Sequence, residues 1–181
     1  MRFLRTLIVS FVSSTLTCGA ASACILSANQ DLNDISSADM VVVGKIQNYQ
    51  IVEDTIATEA VRNGRTEFLE NVPVNLKDTH NNEAEISVEY ARFEIEVDEV
   101  LLGTVSGTIS AVWPSYEFVE SGKTPNVPFL IALRRSTSSM PALRGQVVWM
   151  VLGDHCTGSF LFANASANAT TVRQLLSSMP E

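Results

Sequence analysis

The chain is 181 residues long and carries 20 acidic against 12 basic side chains, a net charge of −8 with histidine neutral. Such a surface repels phosphate backbones and anionic headgroups, which argues against nucleic acid and acidic lipid as partners. With 46% hydrophobic residues, the length fits one domain around a single core.

The first five residues, Met-Arg-Phe-Leu-Arg, hold two positive charges and no acid, and an apolar stretch follows from Leu4 to about Leu16. Gly19-Ala20-Ala21-Ser22-Ala23 then supplies the small-x-small pattern that a signal peptidase reads. The apolar stretch is too short for a permanent bilayer span. Residues 1–23 are therefore expected to be a signal peptide, and residues 24–181 one exported domain, in the periplasm or outside the cell. Losing Arg2 and Arg5 takes the net charge from −8 to −10. No second apolar stretch is long enough to span a membrane.

Of the three cysteines, Cys18 leaves with the signal, and Cys24 and Cys156 remain in an oxidising compartment. Two cysteines allow one intramolecular pairing, so Cys24–Cys156 is the expected disulfide. It would close a loop of 131 intervening residues. In the chain-entropy account, closing a loop of that size contributes about 4–5 kcal/mol. A lipid anchor on Cys24 is the competing fate of a cysteine at a cleavage site. It is disfavoured because it strands Cys156 as an odd thiol, and because Ala21 stands where that pathway usually has Leu.

Along the mature chain, Asp31-Leu32-Asn33-Asp34-Ile35 predicts one or two helical turns with Leu32 and Ile35 on one face. Met40-Val41-Val42-Val43-Gly44-Lys45-Ile46 predicts a buried strand, with strand character running on through Tyr49, Ile51 and Val52. Its one glycine marks a bend or a close backbone approach. Residues 53 to about 86 are polar and poorly periodic, with turn signals at Asn63-Gly64 and Asn81-Asn82, and read as a long excursion that holds a hairpin. Glu85 to Leu102 is the clearest strand: Phe93, Ile95 and Val97 alternate with Glu94, Glu96 and Asp98. Val88 and Tyr90 fall on the opposite phase, so a bulge is expected near Ala91 or Arg92.

Further strands are expected at Thr108–Trp113, at Phe129–Leu133 bounded by Arg134-Arg135, at Gln146–Leu152 and at Ser159–Phe162. A short helix is expected over Thr170–Met179, capped by Asn168 or Thr170. Five or six strands at short spacing with little helix define a mainly β domain, a small antiparallel sandwich or barrel.

Catalytic motifs give little. There is no Gly-x-Ser-x-Gly, phosphate-binding glycine loop or His-Glu-x-x-His, so no catalytic residue, metal site or cofactor is assigned. His155 lies between Asp154 and Cys156, but neighbours on an extended segment point to opposite faces and Cys156 is committed to the disulfide. Glu94, Glu96 and Asp98 could hold a hard cation, although clean alternation makes them the solvated face of a strand. Asn164-Ala-Ser and Asn168-Ala-Thr match a glycosylation sequon, which has meaning only in a eukaryotic secretory pathway. Trp113, Tyr116 and Phe118 beside Pro114 form the candidate binding patch if exposed, and a barrel-end core if buried.

A cysteine at the mature N-terminus, a short helix, Ala38-Asp39-Met40-Val41-Val42-Val43-Gly44-Lys45-Ile46, then Phe93-Glu94-Ile95-Glu96-Val97 leading to Val100-Leu101-Leu102-Gly103, and a late cysteine make up a pattern. It resembles the netrin-like module, found also in tissue inhibitors of metalloproteinases and in exported bacterial relatives. The resemblance implies an OB-like barrel of five to six strands with a short helix at each end. In the inhibitors of that family, the amine and carbonyl of an N-terminal cysteine chelate a proteinase zinc, which makes Cys24 the candidate zinc-chelating terminus. Those inhibitors begin Cys-x-Cys with several disulfides, whereas this chain begins Cys24-Ile25-Leu26 with one bridge. The leading expectation is thus an exported, non-enzymatic binding module for an unknown protein partner in the envelope or medium. Inhibition through Cys24 comes second, and an enzyme built on Asp154-His155 last.

Overall fold

The computed structural model describes residues 30–64, 74–77, 85–114, 126–138, 141–154 and 158–179. In chain order these form β1 (Met40–Glu53), α1 (Thr55–Arg62), β2 (Val74–Lys77), β3 (Glu85–Leu102), β4 (Thr108–Trp113), β5 (Phe129–Thr137), β6 (Val147–Val151), β7 (Gly153–Asp154), β8 (Gly158–Ser159), β9 (Leu161–Ala163) and α2 (Ala167–Ser178). Single 3₁₀ segments stand at Leu32–Ser37 and Pro141–Leu143.

The main sheet runs β1-β3-β4-β6-β5, and β5 pairs back onto β1, so five strands close into a ring. Neighbours in that ring are antiparallel except β4 and β6, which are parallel. This is an OB-like barrel, mainly β, with short helical segments at both ends of the ordered chain. β1 makes closure work because it serves two partners: Met40–Gly44 face Leu133–Phe129 of β5, while Val41 to Glu53 run along β3.

The strands alternate between an interior and an outer layer. Met40, Val42, Ile46, Phe93, Ile95, Ile109, Ala111, Trp113, Ile131, Leu133 and Val151 fill the barrel. On the outside of β1 and β5, Val41, Val43, Leu130 and Ala132 are covered by Ile35 of the N-terminal 3₁₀ turn and by Ala169 and Val172 of α2. A continuous β-branched run therefore suits Met40–Val43, since both faces are buried. On the other flank, Val88, Tyr90 and Val112 are covered by Ala57 of α1, with Val148, Met150 and Leu143 packed around them.

This second outer layer corrects one expectation. Val88 and Tyr90 change phase without a bulge at Ala91 or Arg92, because pairing from Ala91↔Trp113 to Glu96↔Thr108 is unbroken. They belong to the same outer face as Glu94 and Glu96, and α1 covers that face only near the start of β3. The nearest bulge lies across from Arg92 on the partner strand, and the others are further along β3. One is in β1 between Gln47 and Gln50, where Asn48 takes φ +52°, and two are in β3 opposite Val41–Gly44. All sharpen the local twist of the strands that wrap furthest round the barrel.

Among the described residues, part of the excursion at 53–86 is regular structure. It holds α1, and β2 forms the expected hairpin with β3 through Val74↔Val88 to Lys77↔Glu85. The Asn81-Asn82 turn lies outside the described residues. β5 continues past Arg134-Arg135 to Thr137. α2 starts earlier than expected, and its cap is Ser166, whose side chain accepts the Ala169 N–H at 3.2 Å, rather than Asn168 or Thr170.

Candidate functional site at the barrel mouth

β5 and β6 pair side by side with Arg135 opposite Trp149 and Thr137 opposite Val147. These residues follow the inward phase of Leu133 and Val151: Trp149 is half-buried against the interior core, and Arg135, Thr137 and Val147 lie past it toward the end of the barrel. With Asp39 and Ser136 they line a surface cleft of about 530 Å³. The Arg135 guanidinium lies over the Trp149 ring, 5.9 Å from its centroid. Among the described residues it makes no ion pair. Val147 stays 57% exposed, an apolar lip beside the indole.

One wall of the cleft is backbone. Ala132 donates to Phe160 and accepts from Leu152, and Ser138 donates to Gln146 and accepts from Gly145. The even-numbered residues of β5 thus turn their peptide groups toward β6 and β9, and Leu133, Arg135 and Thr137 turn theirs toward β1. β1 begins at Met40, opposite Leu133. Beyond it only Asp39 reaches the edge: its N–H donates to the Leu133 carbonyl at 3.0 Å, and its Oδ2 accepts the Arg135 N–H at 2.8 Å. Among the described residues no strand pairs with β5 past that point on this side. Gly103, at φ +85°, brings the turn after β3 close behind Asp39, where an added Cβ would lie 2.9 Å from the Asp39 carbonyl oxygen.

The sequence-predicted candidates fall differently. Trp113 is 4% exposed in the barrel interior, and its Nε1–H donates to Ser159 Oγ at 2.7 Å. It is core, and so is corrected out of the binding patch; Tyr116 and Phe118 lie outside the described residues. Cys24, Cys156, His80 and His155 also lie outside them, and Asp154 pairs through its backbone with Gly158 in the β7–β8 ladder. Glu94 Oε2 accepts from Asn48 and Glu96 Oε2 from Gln47, both at 2.6 Å, as carboxylates of a wet strand face do. Asn164 Oδ1 accepts from Arg173 at 2.9 Å, and Asn168 is exposed in the first turn of α2. Among the described residues no three His, Cys, Asp or Glu side chains come together as metal ligands.

Asp39, Arg135, Val147 and Trp149 carry no local motif that marks them as a group. Arg135 reads as a strand boundary and Trp149 as one member of an apolar run; only the β5–β6 register joins them. No protein-family model matches the chain, and no curated protein is significantly similar to it. No helix among the described residues is long and apolar enough to cross a membrane.

Proposed function

We propose that the chain is an exported, non-enzymatic binding module of netrin-like type that meets a protein partner at the barrel mouth. The observation that carries this is the cleft itself: the Arg135 guanidinium over the Trp149 ring, an apolar lip at Val147 and a backbone edge that no strand pairs among the described residues converge on about 530 Å³. Arginine and tryptophan are the side chains that dominate protein recognition energetics. A nucleic-acid ligand fits less well. OB barrels read oligonucleotides across their second and third strands, and here Tyr90 and Val112 on that face are buried under α1.

The Cys24–Cys156 disulfide is part of the proposal. Gln30, six residues after Cys24, lies against Gly158, two residues after Cys156; a Cβ on Gly158 would sit 3.7 Å from Gln30 Oε1. Six residues of extended chain span up to about 20 Å, ample for the bridge. The test is capture from the source's envelope and medium with the immobilised oxidised protein, side by side with the double variant Arg135→Ala, Trp149→Ala. A protein retained by the first and lost from the second supports the reading. Identical capture profiles would overturn it.

A further inference from the structure

We infer that the barrel mouth binds an extended acidic peptide by strand addition to the edge of β5 past Leu133, which no strand covers among the described residues. This rests on the binding-module reading and names its partner class. The edge supplies the Arg135 carbonyl and both peptide groups of Thr137, all aimed where β1 would lie if it began four residues earlier. Asp39 closes the inner end, because its carboxylate already holds the Arg135 N–H. An incoming strand therefore lies in line with β1, on the far side of Asp39, and satisfies a ladder left open among the described residues.

Charge sets which peptide fits. The mature chain is strongly acidic, yet Arg134 and Arg135 are consecutive and exposed at this edge. The Arg135 guanidinium lies over the Trp149 ring, and among the described residues it makes no ion pair. Asp39, the acid nearest in the cleft, is turned to backbone rather than to that fork. A carboxylate on the added strand opposite Arg135 gains two parallel N–H···O bonds. Side chains two positions apart share a face, so the residue next in phase lands opposite Thr137, whose neighbour on the other side of β5 is Val147. The recognition element is thus an acid and a β-branched or aromatic residue spaced i, i+2 in an extended segment.

The probe is a fluorescein-labelled peptide of alternating threonine and valine with one central glutamate, titrated against the oxidised mature protein. Two further peptides carry N-methyl groups on one or the other alternate set of amides. Strand addition predicts saturable binding, slowed hydrogen exchange at the Thr137 amide, and loss of binding for one N-methylated set only. Arg135→Gln, at an exposed position that leaves the thermal midpoint unchanged, weakens binding roughly tenfold, the scale of one charge-assisted contact. Replacing the peptide's glutamate by glutamine does the same. Equal tolerance of both N-methylated sets, indifference to Arg135→Gln, or no binding overturns strand addition. If the immobilised chain still captures a partner through Arg135 and Trp149, the binding-module reading stands without it; if that capture fails as well, both fall.

Discussion

Asp54 and Ala142 are 88 residues apart in sequence, yet Asp54 Oδ2 accepts the Ala142 N–H at 3.0 Å. The same carboxylate uses Oδ1 to accept the Ala57 N–H at 2.9 Å and cap α1. Its own backbone N–H donates to the Val88 carbonyl at 2.8 Å. One fully buried acid thereby joins the segment after β1, the β5–β6 turn and β3. Thr58 adds a fourth link, its Oγ1 accepting the Val88 N–H at 3.0 Å. The consequence is a rigid flank: α1 cannot lift from the outer face without breaking the turn that leads into β6 and its Val147 and Trp149.

Asn in place of Asp54 keeps a good cap but presents an amide N–H₂ to a backbone N–H. A buried donor left without an acceptor costs about 1–3 kcal/mol. Asp54→Asn is therefore expected to lose about 2 kcal/mol, and Asp54→Ala, which removes the cap as well, about 3–4 kcal/mol. Urea unfolding should show lower midpoints at unchanged slope. Hydrogen exchange should accelerate at Ala142 in both variants and at Ala57 only in the alanine variant.

What was readable in advance follows the physics of each element. Met40–Ile46 and Phe93–Asp98 announce themselves because burial on two faces or one writes directly into residue type. α1 did not, because Thr55-Ile-Ala-Thr-Glu-Ala-Val-Arg62 buries only the small side chains Ala57, Thr58 and Ala60, while its Ile56 stays exposed. The phase change at Val88 and Tyr90 was visible but its cause was not, since the cover comes from α1 and the β5–β6 turn, distant in sequence. The cleft was hidden for the same reason: Arg135 meets Trp149 through register alone.

Gly44 stands where β1 leaves β5 and passes to β3, beside a bulge that shifts the register between Val43 and Gly44. A Cβ there would run into the Glu96 carbonyl, with Ile95 Cγ2 at 2.9 Å. Backbone is what blocks the way, so relief requires moving the β1–β3 ladder. Gly44→Ala is expected to cost about 3 kcal/mol, the upper range for overpacking a core. Gly64→Ala is the informative control, because its Cβ would meet nothing within 4 Å and its only cost is a φ of +69°. Thermal unfolding of the two variants should separate them clearly.

Tyr49 stacks on Phe93 with ring centroids 6.1 Å apart, and burial of its phenol pushes the pKa up from 10.0 to about 12. The folded value lies above the unfolded one. The linked stability is fully present below pH 10 and is lost as pH rises through 12. A shift of that size corresponds to about 2–3 kcal/mol across the window. Tyr90 is raised as well, first by burial and then by the Asp54 charge, with Arg92 opposing. Absorbance titration should find these two phenols ionising late, and Tyr49→Phe should flatten the alkaline loss of stability.

Arg173 of α2 grips Glu99 of β3 with both nitrogens, Nη1 to Oε1 at 3.1 Å and Nη2 to Oε2 at 2.8 Å, and Nη2 also donates to Asn164. These hydrogen bonds hold the Glu99 carboxyl below its ordinary value, opposed by desolvation and helped further by the guanidinium charge. Here the folded value is depressed, so the contribution is present above the unfolded pKa and disappears as pH falls through the folded one. Both side chains are partly in solvent, 32% exposed for Arg173 and 49% for Glu99, so water screens the pair. Its worth is about 0.5–1 kcal/mol at neutral pH, the upper part of the range for surface pairs because the geometry is bidentate. Glu99→Gln should lower stability by that amount at pH 7 in low salt. The difference should shrink in 1 M salt, where the screening length drops to about 3 Å. It should vanish in acid, where wild type and variant then unfold alike by circular dichroism. A gap that persists unchanged in acid would show that Glu99 acts through packing rather than through its charge.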